Sequence, residues 1–372
     1  MTSRERALAA LNHAEPDHVP IDLGSTSVTT VTRTAYDALR LHLGMAPDAQ
    51  PNISHRQMDT VYPKEDLLGL YQVDFRPVYL RGPWYFKTQE MPDDSFYDEY
   101  GLRWKKASYY YDVVERSLEN IDTIEALKRV PWPDPGDPGR LAGVREEAKR
   151  LYETTDYLVV ADIMCLGPFE GACFLRGYDE FCLDLSLNPP YAEALLDKIL
   201  ETDIQLWDAF LSQVGDYVHV VAQGDDLGTQ RGLFISPKIY REFIKPLYEF
   251  IRSKTKARIF MHSCGSIYDV IPDLIETGVQ ILNPLQRSAA KMDMARLKRE
   301  FGKDLCFFWG GIDVQQVLSF ASLPQIEDEV KRTLDIMAPG GGYVFVSSHN
   351  LQADVTPDRI HRLYETALNY AR

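Results

Sequence analysis

The tightest constraint on how this 372-residue chain folds is the alternation of short apolar runs with amphipathic helical stretches. Six runs, mostly in the second half, stand out: YLVVADI (157–163), YVHVVAQGDD (217–226), ARIFMHSCG (257–265), VQILNP (279–284), LCFFWGGID (305–313) and YVFVSSHN (343–350). Each is rich in Val, Ile, Leu or Phe, as strands buried on both faces should be. Helical patterns such as SPKIYREFIKPLYEFIRSK and IYDVIPDLIETG separate them. Strand, helix, strand, helix describes a parallel sheet. HVPIDLG (18–24) and YQVDFRPVYL (71–80) bring the strand candidates to eight. Eight parallel strands point to an α/β fold of the (β/α)8 TIM-barrel type. A doubly wound open sheet is the alternative, disfavoured because no glycine-rich phosphate turn follows the first strand.

Residues 81–140 break the pattern. Aromatic residues crowd RGPWYFKTQEMPDDSFYDEYGLRWKKASYYYDVVERSL, and DEYGLRW reads as a turn between two strands. VPWPDPGDPGR (130–140) has too many prolines and glycines for regular structure. The expectation is one barrel domain over 1–372, with an inserted aromatic β-hairpin and an ordered Pro-rich segment between the second and third strands. The aromatics either pack on the outside of the barrel or form a lid over a pocket for an apolar or aromatic substrate. An N-terminal helical extension precedes the barrel. MTSRERALAALN reads as a helix with a Thr2–Glu5 capping box, not as a signal peptide.

Composition limits the partners. A net charge of −15 argues against nucleic acid, because phosphate binding needs a basic face. No run of 18 apolar residues exists to span a membrane. The cysteines at 165, 173, 182, 264 and 306 form no CxxC, and five is an odd count. Reduced thiols and a cytoplasmic location follow as expectations. Cys165, Cys173, Cys182 and Cys306 read as small core residues, with Cys165, at a strand end, the one of the four that could lie near the site.

Function in such a barrel gathers at the C-terminal ends of the strands. There the sequence places Asp22; Asp74 and Arg76; Met164, Cys165 and Glu170; Gln223, Asp225 and Asp226; His262 and Cys264; Asn283 and Gln286; Asp313; and Ser347, Ser348 and His349. His262 and Cys264 are two residues apart, so on an extended strand both side chains point the same way. Imidazole and thiolate are good zinc ligands. His349 could add a third from across the barrel mouth, leaving a position open for water or substrate. The plainer reading is a buried cysteine beside a hydrogen-bonded histidine. In QGDDLGTQRGLFISP (223–237), Gln223, Asp225 and Asp226 are candidate catalytic groups, and Ser236 before Pro237 is a helix cap. Asp74, Arg76, Asn283 and Gln286 are candidate substrate contacts. PGGGYVF (339–345) precedes a strand and lacks a lysine, so it reads as a tight turn and not as a phosphate loop.

HSCGSIYDVIPDLIETGVQILNPLQ, GGIDVQQVL and SSHNLQADVTPDRI resemble the uroporphyrinogen decarboxylase superfamily, and more closely its corrinoid-dependent methyltransferase branch. The resemblance runs from RERALAALNHAEPDHVPID to TPDRI. It implies a (β/α)8 barrel. In that branch zinc is held by His-x-Cys and a late Cys on the last strand; His262 and Cys264 match, while VSSHN offers His349 in place of the late Cys. The related methionine synthases add a Glu near the sixth strand, where this chain has Asn283 and Gln286. The decarboxylases carry an Arg-Gln-Ala-Gly-Arg segment that holds substrate carboxylates. This chain has DLGSTSVTTVTR there, with only Arg33.

The function this implies is zinc-dependent methyl transfer between a small O-, N- or S-methyl substrate, or a thiol, and a corrinoid. The chain has no Asp-x-His-x-x-Gly cobalamin anchor, so the corrinoid would arrive on a partner protein. The alternatives are a decarboxylase using Asp74 to stabilise a protonated intermediate, and a non-catalytic barrel that binds a small molecule.

Overall fold

Strands that are apolar on both faces have to be covered on both, and a closed barrel inside a ring of helices achieves this. The computed structural model describes residues 1–163, 167–308 and 310–370. Seven parallel strands are hydrogen-bonded in chain order: Phe75–Val78, Leu158–Ala161, Val220–Gly224, Arg258–His262, Val279–Asn283, Cys306–Phe308 and Tyr343–Val344. Every residue of Leu158–Ala161 and of Val220–Gly224 is buried.

The eighth position is filled by the short segment around Ile21. Ile21 bridges Phe345 in parallel, Asp22 N–H donates to the Phe345 carbonyl at 3.0 Å, and Asp74 N–H donates to the Ile21 carbonyl at 2.9 Å. The segment thus joins the last strand to Phe75–Val78 and closes the ring. All eight strand candidates therefore contribute to the barrel, the first as a bridge and not as a full strand.

The N-terminal helix Ser3–Leu11 has its capping box, with Glu5 N–H donating to Thr2 Oγ1 at 3.2 Å and Thr2 N–H to Glu5 Oε2 at 2.8 Å. It covers the N-terminal end of the barrel. Arg4 donates to the carbonyls of Tyr152 at 2.8 Å and Tyr157 at 3.1 Å, and Arg6 reaches buried Asp74 at 2.7 Å. Ser236 caps the helix that starts at Pro237, as its position before proline suggests. Gly340, Gly341 and Gly342 have φ of +74°, +72° and +69°, a turn that leads into the last strand.

The insertion is larger than one hairpin. It forms a four-stranded antiparallel meander of Gln89–Glu90, Phe96–Tyr97, Arg103–Lys106 and Tyr111–Glu115. The turn at DEYG is held by Asp98, whose N–H donates to the Leu102 carbonyl at 3.0 Å while its carboxylate accepts from Trp104 Nε1 at 2.7 Å. The Pro-rich segment contains only the 3-10 turn Pro138–Leu141, ordered by Asp137, which accepts from Trp84 N–H at 2.8 Å and Gly139 N–H at 2.7 Å. A second antiparallel sheet, Val31–Thr32, Asn52–His55 and Thr60–Tyr62, has no counterpart in the sequence reading. The Tyr111 N–H donates to the Gln57 carbonyl at 2.8 Å and ties the meander to it.

Two expectations fail at Asp74 and Arg76. The strand begins at Phe75, so Asp74 lies at its N-terminal end, away from the mouth, paired with Arg6 and accepting Ile21 N–H at 2.9 Å. Arg76 is turned outward onto Glu65 at 2.6 Å and lies over the Tyr157 ring at 3.6 Å. Both residues hold the scaffold together and neither faces a substrate.

Candidate metal centre and its two cavities

His262 is the last residue of its strand, and the backbone stays pinned beyond it. Ser263 N–H donates to the Asn283 carbonyl at 2.8 Å, Cys264 N–H to Asp226 Oδ1 at 2.7 Å, and Gly265 N–H to Gln286 Oε1 at 2.7 Å. Gly265 has φ +83°, and a Cβ there would meet the Gly228 backbone at 2.5 Å, so only glycine fits between the two loops. Cys264 Sγ consequently lies 3.6 Å from His262 Nε2.

His349 completes a cluster. One ligand atom from each of His262, Cys264 and His349 lies within 4.8 Å of the others. The His262 and His349 rings meet edge-on, with centroids 5.8 Å apart. Asn283 Oδ1 accepts a hydrogen bond from His262 Nδ1, which leaves Nε2 as the lone pair facing Cys264. Burial pushes the His349 imidazole down to about 3, with His262 adding to the shift, so the ring is neutral. Burial and then the Asp226 and Glu170 carboxyls push the Cys264 thiol well up. A thiolate at this position needs a cation beside it. Two imidazoles and a thiol within reach of one point are a donor set that suits zinc.

The cluster stands between two cavities. An inner one of ≈310 Å³ is lined by His262, His349, Asp226, Glu170 and the aromatics Trp104, Tyr110, Tyr111 and Phe174. An outer one of ≈360 Å³ is lined by Cys264, His349, Gln286, Asp313 and Gln352 among others. Tyr110 and His349 border both. The aromatic insertion therefore reaches the barrel mouth, where Trp104, Tyr110 and Tyr111 line the inner cavity.

The candidate catalytic residues separate. Asp226 lines the inner cavity, with Oδ1 3.8 Å from His262 Nε2. Asp225 turns the other way. Its carboxylate accepts Phe169 N–H at 3.2 Å and Glu170 N–H at 2.8 Å, capping the helix Pro168–Arg176. Gly167, at φ +88°, allows this approach, since a Cβ would sit 2.5 Å from the Gly224 carbonyl. Gln223 faces outward and accepts from Trp207 Nε1 at 2.8 Å. Asp225 and Gln223 are thus supports of the fold and do not border either cavity. Asn283 stands behind His262, and Gln286 lines the outer cavity.

Asp313 caps the next helical turn, accepting from Gln315 N–H at 2.7 Å. Cys173 and Cys306 are buried and Cys182 partly so; Met164 and Cys165 lie outside the described residues. Glu170 is the residue whose place the sequence undervalued. It lines the inner cavity, and burial, then Asp226 and Asp225, push its carboxyl well up. Its only sequence signal was its nearness to the end of the third strand.

The uroporphyrinogen decarboxylase (URO-D) family matches residues 110–370. This chain belongs to that family. It is 23% identical over 265 residues to the uroporphyrinogen decarboxylase of Shewanella amazonensis, across 67% of this chain and 70% of that one. A methyltransferase from Methanosarcina mazei shares the fold with a TM-score of 0.64 at 18% identity, with 100% of both chains covered. Among the described residues no helix of this URO-D protein is long and apolar enough to cross a membrane.

Proposed function

We propose that this URO-D protein is a zinc-dependent methyltransferase that moves a methyl group between a small methylated substrate and a corrinoid carried by a separate protein. The observation that carries the reading is the convergence of His262, Cys264 and His349 from opposite sides of the barrel mouth. These three residues would hold the zinc. When bound, it would supply Lewis acidity at the methyl-bearing heteroatom, or hold a thiol as its thiolate.

The protein's own groups set the rest. Asn283 fixes the tautomer of His262. Asp226 orients the Cys264 backbone, and with Glu170 it presents carboxyls to the inner cavity. Trp104, Phe174 and the Tyr110–Tyr111 pair wall that space with aromatic surface. The outer cavity gives the second reactant its own approach, across the partition that Tyr110 and His349 form.

The decarboxylase alternative loses the residue it relied on, because Asp74 is paired with Arg6 at the closed end of the barrel. Among the described residues no lysine or arginine lines the inner cavity to hold a polycarboxylate.

The test is metal content, measured on the parent and on Cys264→Ser after dialysis without chelator. Zinc near one per chain in the parent, lost in the variant, supports the reading. A parent that takes up no zinc when supplied with it overturns the reading and leaves a binding barrel. With zinc established, a reduced corrinoid and a methylated substrate should give the methyl-corrinoid absorption change with the parent and none with Cys264→Ser.

A further inference from the structure

The inner cavity has aromatic walls and acidic corners, with no lysine or arginine among the described residues that line it. Trp104 and Phe174 pack against each other at 5.4 Å between centroids, and Tyr110 faces them from the partition. Glu170 and Asp226 stand beside the metal-ligating cluster, and Asp112 is at the exposed rim. The nearby Lys106 lies over Tyr111 at 5.0 Å and is paired with Asp59 at 2.6 Å, so its charge is already answered. His55, which also lines the space, is pushed down to about 4 by burial and carries no charge at neutral pH.

Aromatic faces attract cations through the negative centre of the ring, and the attraction grows when water is excluded. Carboxyls that would be costly to bury alone become favourable beside a bound positive charge. An anionic substrate would meet carboxyls here with no counter-charge. A divalent ion balanced by the Cys264 thiolate would add one positive charge, which the carboxyls beside it can answer. The ≈310 Å³ volume is at the small end of ligand pockets.

We propose that the inner cavity binds a small methylated onium cation, a quaternary ammonium or sulfonium group, with the aromatic walls as its cage and Glu170 and Asp226 as its counter-charges. The proposal rests on the methyl-transfer reading and specifies its substrate class. The chemistry balances simply. A reduced corrinoid nucleophile forms a cobalt–carbon bond to the methyl group, the C–N or C–S bond breaks, and the electron pair stays on a neutral amine or sulfide. No proton is consumed, so the two carboxyls serve as charge partners and not as acids.

The experiment compares choline with 3,3-dimethylbutan-1-ol, its neutral isostere, by calorimetric titration of the zinc-supplied protein. The two ligands have the same shape and differ in charge. A cation cage should bind choline about tenfold or more tighter. Glu170→Gln should weaken choline by about tenfold and leave the alcohol unchanged. Equal or tighter binding of the alcohol, no binding of either ligand at millimolar concentration, or an unchanged choline affinity in a folded Glu170→Gln protein would each overturn the proposal. The parent comparison needs no variant, so a Glu170→Gln protein that fails to fold leaves the test intact. Metal analysis of the same samples separates the two ideas. Zinc with a preference for the alcohol sinks the cage alone; choline preference without zinc sinks the metal reading and keeps the cage.

Discussion

The Tyr110 hydroxyl lies 3.4 Å from Nδ1 of His349, joining residues 239 positions apart. One comes from the inserted meander and the other from the end of the last barrel strand. Their contact divides the barrel mouth into two cavities and places a second group behind a candidate metal ligand.

The groups behind the ligands should matter in order of their hydrogen-bond quality. Asn283 bonds His262 closely, whereas the Tyr110 contact with His349 is long. Asn283→Ala is expected to lower zinc affinity by about 10- to 100-fold, and Tyr110→Phe by much less. Chelator competition measures both, and the reverse ranking would contradict this account of how the two imidazoles are oriented.

Asp225 is expected to act on stability and not on metal. Its carboxylate accepts the first N–H groups of the Pro168–Arg176 helix, in a fully buried position. Asp225→Ala leaves both donors buried without a partner and should cost about 1–2 kcal/mol. Asp225→Asn keeps an acceptor and should cost less. Urea unfolding gives the stabilities, and zinc content should match the parent in both variants.

Arg6 and Asp74 offer a contrast far from the mouth. The pair is 2.7 Å apart, with the Asp74 side chain fully buried and the Arg6 side chain 10% exposed. Arg6→Ala leaves a buried carboxylate unpaired and should destabilise by about 3–5 kcal/mol. Asp74→Asn should cost less, because no lone charge remains. Choline binding and zinc content unaltered in folded Asp74→Asn would separate this end of the barrel from the chemistry at the other.

A pH dependence should come from His219. Its Nδ1 accepts Val159 N–H at 3.1 Å, its ring stacks on Tyr152 at 5.1 Å, and Arg4 and Arg258 face it. Burial, then Arg4, pushes its imidazole down to about 4. The folded state thus prefers the neutral ring, and the unfolded state takes up the proton first as pH falls. The contribution is present above about pH 6.5 and is lost between there and about pH 4, with an upper bound on the order of 3 kcal/mol. His55 and His349 shift in the same direction, so the measurement is the difference between parent and His219→Gln in urea stability at pH 7 and pH 5. A parent-to-variant gap that does not narrow toward pH 5 would contradict the assignment.

The sequence by itself determined the strands, several caps and the pairing of His262 with Cys264. Those features are local. Apolar runs mark buried strands, Thr2–Glu5 and Ser236–Pro237 mark helix starts, and a two-residue spacing puts both side chains on one side. Tertiary structure decided which polar residues face the mouth. Adjacent side chains on a strand point in opposite directions, so a shift of one residue in where a strand begins or ends reverses the outcome. That is why Asp74 belongs to the closed end, why Gln223 turns to Trp207, and why Asp225 caps a helix while neighbouring Asp226 borders the cavity. The wall made by Tyr110 was beyond any local pattern, because it depends on how the meander docks on the barrel.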